Sequence, residues 1–465
     1  MRLWYKLNED TKICVKVGGS ELSDPGEVGP VVGQGTIGGA LASQAVLDDA
    51  VSEHFPPAGE LQLRYGSVPL APFMFQDDLL NGAEGLPQAR LANDKVDILM
   101  KERGLILNEH KSVCIIMGSK KQKKETSEEI KANPLMCGSF ETKEVQVEKW
   151  LGQYLSAAGL SDSVAKTAAA RMGKIKAASF EIAQIVNDWR SQAVGGMVSA
   201  ILLWEAYCIP SLLHGAGTWT EMSALTEKKL NALQRWFVRL MLQVGPGAPR
   251  ASLLWDFGLL DMGLRIWMEK LMLVLHVRRL TDDTLARNVY DEQRAQQWPG
   301  LAAEADEICL ELGIENVHDT GLSAKAYRAV IIEACHIKNE ARIKSEAEGK
   351  EKCERIFKEK YGAKEYTKNK EISKVRQAFR TRFGLQPFAG NYGHDRRFAQ
   401  TEWLCRCRQA KEDEAHLING HCEVYGGVRE KYGNLTNDES LIAFFNEVLS
   451  MRDKLEEEER EENRR

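Results

Sequence analysis

The stretch Pro69-Leu70-Ala71-Pro72-Phe73-Met74-Phe75-Gln76-Asp77-Asp78-Leu79-Leu80 decides how the first third of this chain is read. Residues 69–75 are mostly apolar and read as a strand, Gln76-Asp77-Asp78 as a tight turn, and Leu79-Leu80 as the return strand. Adjacent carboxylates repel one another unless a cation neutralises them, and hard oxygens in that arrangement suit Mg²⁺. Two-metal phosphoryl transfer needs such ligands, one ion activating the attacking hydroxyl and the other steadying the leaving pyrophosphate. A solvated Asp-Asp turn accounts for the same pair without metal, since Asp is favoured in turns.

Upstream, Gly33-Gln34-Gly35 precedes a predicted helix over 37–55 that is rich in small residues, from Gly38 and Gly39 to Ala45. Small side chains let a bulky partner such as a base pair approach the backbone, and close helix packing uses them equally well. Further upstream, residues 11–17 alternate like a strand. Downstream, a helical pattern over 86–103 stops at Gly104, and Leu107-Asn108 with Lys111 leads into a strand over 112–117. Lys111 is placed to meet a triphosphate as a point charge or proton donor, with an ordinary surface lysine as the alternative. Lys120 to Lys124 reads as the opening of a polar linker and 145–151 as one more short strand, so residues 1–155 form a small mixed layer of strands and helices.

Beyond it the hydrophobic period becomes helical. Leu230, Leu233, Phe237, Leu240 and Met241 fall on one face of a helix, and breaks are predicted at Pro210 and Gly245-Pro246-Gly247. Residues 281–335 read as more polar helices. From 336 to 397 there are 17 Lys/Arg against 9 Asp/Glu, and the Lys/Glu alternation up to Lys360 favours an exposed charged helix. A last helix is predicted over 439–451, and residues 452–465 are too polar to bury, hence disordered or a solvated helix.

A length of 465 residues allows about three domains. The net charge is −5, and much of the acidity sits in Glu456 to Glu459, Glu461 and Glu462, so any polyanion site must be a local basic patch. Ten scattered cysteines, several in apolar settings, read as reducing, intracellular usage in nucleus or cytoplasm. No signal-peptide pattern opens the chain, and the longest apolar stretch, 197–213, is interrupted by Glu205 and Pro210 and falls short of a membrane span.

Near the carboxy end, Cys405-Arg406-Cys407 is followed by His416, His421 and Cys422. Zinc takes thiolates and imidazoles in a tetrahedron, and loops this short can bring them together; buried thiols beside an ordinary histidine are the alternative. Before that segment, Lys374, Arg376, Arg380, Arg382, Arg396 and Arg397 are interleaved with Phe379, Phe383, Phe388, Tyr392 and Phe398. Arginines that neutralise phosphates beside rings that stack on bases make a single-strand platform. An amphipathic helix with its rings in a core and its arginines in water explains the same residues.

In their order and spacing these motifs resemble the reverse transcriptases of non-LTR retrotransposons. Gln34-Gly35 looks like the motif that steadies template and incoming nucleotide, Phe75 to Asp78 like the F/Y-x-D-D metal turn, and Leu107-Asn108 with Lys111 like LN-x-x-K. Trp150-Leu151-Gly152 is similar to Y-L-G of that branch, and 230–241 and 253–266 to its thumb and connector. The resemblance implies an α+β chain: a partial palm with a mixed sheet (1–155), a helical thumb (156–280), a partly basic helical connector (281–398), a zinc knuckle with a final helix (399–451) and a charged tail (452–465). It further implies RNA-directed DNA synthesis in which Asp77 and Asp78 hold Mg²⁺, Gln34, Gly35 and Phe75 position template and nucleotide, and Lys111 aids pyrophosphate departure. Zn²⁺ falls to Cys405, Cys407, His416 and Cys422, with His421 as the competing fourth ligand. The implied partners are element RNA, target DNA, their hybrid and deoxynucleoside triphosphates. Gly38-Gly39-Ala40 departs from the Ser-Pro that usually follows the first motif, and Gln76 replaces the common Ala. The family's first catalytic strand and its fingers have no counterpart here, so a truncated and inactive polymerase is expected. The rivals are a non-enzymatic nucleic-acid-binding remnant and an interaction protein built on the helical middle.

Overall fold

The computed structural model describes residues 12–13, 26–27, 51, 53–55, 63–70, 72–75, 78–187, 196–386, 388, 404–419, 422–433, 435 and 438–462. It is an α+β protein, mainly helical with small sheets. It divides into two compact units. One comprises Met1–Ser163 with Arg279–Pro299; the other comprises Val164–Arg278 with Gly300–Arg465.

In the first unit the described strands are two to four residues long and pair as two-stranded ladders, so the single mixed sheet expected of a palm does not form among the described residues. Leu63–Tyr65 and Val68–Leu70 make a hairpin whose turn contains Gly66 at φ +60°. The turn is held from far along the chain: Glu292, on helix Leu285–Ala295, accepts from Ser67 N at 3.1 Å and from Ser67 Oγ at 2.6 Å. Trp298 packs edge-on against Tyr65 with ring centroids 4.9 Å apart. A Cβ on Gly66 would lie 2.2 Å from Glu292 Oε1, so this turn needs glycine for its φ and for the close approach.

Helix Leu86–Glu102 starts with Pro87 in its first turn and ends before Gly104 at φ +66°. Ala92, Val96, Leu99 and Met100 recur at helical spacing on its buried face and pack with Val51, Phe55 and Cys137. Residues 120–124 are not a linker. They open helix Lys120–Ala132, whose Ser119 accepts from Gln122 N while the Gln122 side chain accepts from Ser119 N. That capping box satisfies two donors of the first turn. The strand expected over 145–151 is Val147–Trp150, and it returns as Gln153–Ser156. Leu151 and Gly152 join the two at φ 46° and 79°, the left-handed pair that a two-residue hairpin turn requires.

The second unit is helical. Ser223 caps helix Ala224–Leu242, and Leu230, Leu233, Phe237, Val238 and Met241 are buried as the periodicity predicts. Trp204 stacks on Phe237 with ring centroids 4.3 Å apart. Pro210 has no N–H to donate, and the chain passes into it through a π-turn, Trp204–Cys208, between helices Met197–Leu203 and Ile209–Leu212. Among the described residues no helix is long and apolar enough to cross a membrane. A smaller core around Phe388, Cys405, Leu417, Cys422 and Tyr425 is closed by Leu441, Phe444, Phe445 and Val448 of helix Asp438–Glu462. That helix runs well past the 451 expected for its end, so most of the polar tail is ordered as its continuation.

Candidate metal centre

The metal-ligand segment is built by a tight loop. Leu404 and Lys411 form an antiparallel bridge, Cys405 N donates to Ala410 O at 2.8 Å, and Arg408 N donates to Cys405 O at 2.7 Å, with Arg408 at φ 57°. The loop turns both thiols of Cys405-Arg406-Cys407 to one side. Asp413 then caps helix Glu414–Ile418, accepting from His416 N at 2.9 Å, and this fixes the ring that faces the loop. The chain returns at Cys422.

Cys405 Sγ lies 3.4 Å from Cys422 Sγ, and Cys407 Sγ lies 3.2 Å from His416 Nε2. The four ligand atoms all fall within 4.8 Å of one another. Zn–S bonds of about 2.3 Å and Zn–N bonds of about 2.0–2.1 Å set tetrahedral ligand atoms roughly 3.5–3.8 Å apart, so spacing and donor type both suit a four-coordinate ion. Cys405, His416 and Cys422 are buried and Cys407 is half-buried. Burial pushes the Cys405 thiol up from its ordinary range. Burial also acts upward on Cys407, but the backbone N–H groups of Gln409 and Ala410 and the neighbouring thiols outweigh it and leave Cys407 lowered. The cluster can hold a metal ion. His421, the competing ligand, lies outside the described residues.

At the expected polymerase turn, Phe73–Phe75 and Asp78–Leu80 pair with Phe75 opposite Asp78, which leaves a two-residue connection. Phe75 and Asp78 are exposed. Gln76, Asp77, Gln34 and Gly35 lie outside the described residues. Asn108 organises the next motif: its carbonyl accepts from Lys111 N and Ser112 N, each at 3.0 Å, and its side chain accepts from His110 N at 3.1 Å. Lys111 is exposed at the end of that turn.

In its described part the basic stretch follows the amphipathic alternative for its rings, while its arginines meet protein groups rather than water. Phe379, Phe383 and Phe388 are core residues, so no ring of the three is open to a base. Arg376 donates to Met241 O at 2.8 Å and to Asn187 Oδ1 at 2.6 Å, and Arg380 donates to Gln243 O at 2.8 Å. These guanidinium groups satisfy carbonyls at the end of helix Ala224–Leu242, where cations are favoured. Burial, aided by the Arg380 cation, lowers Arg376 to about 10. Arg382 is buried against Asp256 at 2.9 Å and Glu359 at 2.6 Å. Lys374 is exposed and pairs with Glu371 at 2.7 Å, while Arg396 and Arg397 lie outside the described residues.

The cations that accompany the metal cluster are Arg406, Arg408 and Lys411, which the sequence reading passed over. Three cations within six residues, inside the Cys/His segment itself, were the available signal. Arg408 and Lys411 are exposed, and Arg406 pairs with Glu459 at 2.6 Å. The chain matches no protein-family model and no curated protein.

Proposed function

We propose that this chain belongs to a reverse transcriptase of the non-LTR type and that its Cys₃His module is a zinc knuckle gripping element RNA, target DNA or their hybrid. The observation that carries the reading is the convergence of Cys405, Cys407, His416 and Cys422 beside a loop bearing Arg406, Arg408 and Lys411. A tetrahedral ion in that donor set stabilises a small fold, and cations on its surface neutralise phosphates. The hairpin at Phe75 and Asp78, the Asn108 turn ahead of Lys111 and the Leu151-Gly152 turn support the polymerase half, because they follow one another in the family's order.

In this reading, within the intact polymerase, Asp77 and Asp78 would hold Mg²⁺, Gln34, Gly35 and Phe75 would steady template and nucleotide, and Lys111 would assist the leaving pyrophosphate. The carboxylates suit that cation by donor type, and when bound it supplies electrostatic stabilisation of the attacking and leaving oxygens. A second reading, a nucleic-acid-binding protein without polymerase activity, is favoured by the knuckle drawing all its ligands from the single short segment 405–422.

Zinc analysis, oligonucleotide binding across a salt series, and primer extension on an RNA template test the two. Template-dependent extension in Mg²⁺ that is lost in Asp77→Ala supports an active polymerase. Salt-dependent binding without extension is the outcome of an inactive polymerase and of the second reading alike, and a folded chain with neither zinc nor binding refutes both.

A further inference from the structure

Arg406 sits between the two thiols of the knuckle loop and donates from Nη1 to Glu459 Oε1 at 2.6 Å, 53 residues along the chain. Glu459 ends the run Glu456-Glu457-Glu458-Glu459, with Glu461 and Glu462 just beyond, near the end of helix Asp438–Glu462. Like charges this close along a helix oppose one another. The run is nonetheless held beside the knuckle, because the earlier half of the same helix is anchored there. Leu441, Phe444, Phe445 and Val448 are buried in the knuckle core, and Arg452 lies 3.7 Å from the buried Glu412. Apolar packing therefore delivers the acidic end to the cationic loop, whatever the Arg406–Glu459 pair contributes. The Glu459 side chain is 62% exposed, so water reaches the pair and the contact can open without a large desolvation cost.

We propose that the acidic end of this helix is an autoinhibitory stand-in for a nucleic-acid backbone: Glu459 occupies Arg406, and a phosphate must displace it to engage the knuckle loop. The proposal rests on the reading of the knuckle as a nucleic-acid grip. Carboxylate and phosphate oxygens compete for the same guanidinium donors. The neighbouring glutamates add repulsion toward an incoming polyanion, which salt screens. The structure offers a reason for a strongly acidic segment in a chain whose knuckle loop is basic: it lowers unspecific binding until a partner that supplies several phosphates at once displaces it.

The test uses the full zinc-loaded chain and a fluorescent single-stranded RNA, with affinity read by anisotropy at several salt concentrations. Glu459→Gln is expected to tighten binding about two- to five-fold, the range of an exposed ion pair. Substituting all four of Glu456 to Glu459 by Gln should tighten it further, with the gain shrinking as salt rises. Glu439→Gln, the same charge change at the other end of the helix, should leave affinity unchanged. Arg406→Gln should weaken binding and remove most of the gain from Glu459→Gln, a coupling that loss of charge in general does not produce. Equal zinc content across the variants shows that the knuckle is intact. If Arg406→Gln weakens binding but none of the glutamate substitutions tightens it, the autoinhibitory proposal falls and the grip stands. If neither the parent chain nor the fourfold variant binds at low salt, both fall.

Discussion

Asp256 and Arg382, 126 residues apart in the chain, meet in the interior of the helical unit, where Arg382 Nε donates to Asp256 Oδ2 at 2.9 Å. Tyr366 adds its hydroxyl to the same oxygen at 2.7 Å, and Glu359 takes the other side of the guanidinium. The Asp256 side chain is 0% exposed and that of Arg382 is 7% exposed. Burial pushes Asp256 upward while Arg382 and Tyr366 oppose it. Breaking one side of such a pair strands a charge in the core, so Asp256→Ala should cost roughly 3–5 kcal/mol in chemical denaturation. Replacing both partners together by apolar residues of similar volume should cost much less. Equal costs for the single and double replacements would refute this account.

His318 makes stability depend on acid. Its ring is enclosed, with Nε2 3.1 Å from Asp306 Oδ1. Burial, reinforced by the nearby Arg278 cation, holds it down at about 4 against an ordinary 6.5. The unfolded chain takes up the proton near 6.5 and the folded chain only near 4, so stability is full above this window and drains as pH falls through it. The loss should reach roughly 2–3 kcal/mol at the lower end, from about 1.4 kcal/mol per pKa unit. Unfolding midpoints measured across that range should flatten in His318→Asn, and an unchanged slope would count against the mechanism.

Gly66 should resist substitution more than its surface position implies. Gly66→Ala puts a side chain at φ +60° and drives its Cβ into the Glu292 carboxylate. A loss of about 1–3 kcal/mol is expected from the backbone alone. Adding Glu292→Ala should relieve the collision and leave the backbone cost, so the double variant should be more stable than the sum of the two singles. Strict additivity in thermal unfolding would show that the two positions do not meet.

A metal held at the Cys₃His cluster should stabilise only its neighbourhood. Chelation of the metal-loaded chain is expected to expose backbone amides across 404–425 in hydrogen exchange, together with the part of helix Asp438–Glu462 that shares the small core. Helix Ala224–Leu242, in a separate core, should keep its protection. Cys405→Ser and His416→Ala should each reproduce the chelator pattern. Protection that is unchanged on chelation would mean that the small core stands without an ion.

The features legible in the residues alone are local. Helix Leu86–Glu102 and the buried face of Ala224–Leu242 follow from periodicity within a few residues, whereas the single strand expected over 69–75 is divided between two hairpins, Val68–Leu70 pairing back with Leu63–Tyr65 and Phe73–Phe75 pairing with Asp78–Leu80. The ligand set Cys405, Cys407, His416 and Cys422 was legible for the same reason, since the loops joining its members are short. The capping box of Ser119 and Gln122 was equally local, and the lysines that follow it obscured its reading as a helix start. The long-range partners emerge from the packing. A sequence shows that Arg376, Arg380 and Arg382 are cations, but whether a guanidinium meets water, a phosphate or a helix end depends on residues more than a hundred positions away. The turn at Ser67 and the contact of Arg406 with Glu459 were hidden in the same way. Charge and hydrogen-bonding capacity belong to the residue, whereas the partner that satisfies them is chosen by how the apolar faces pack.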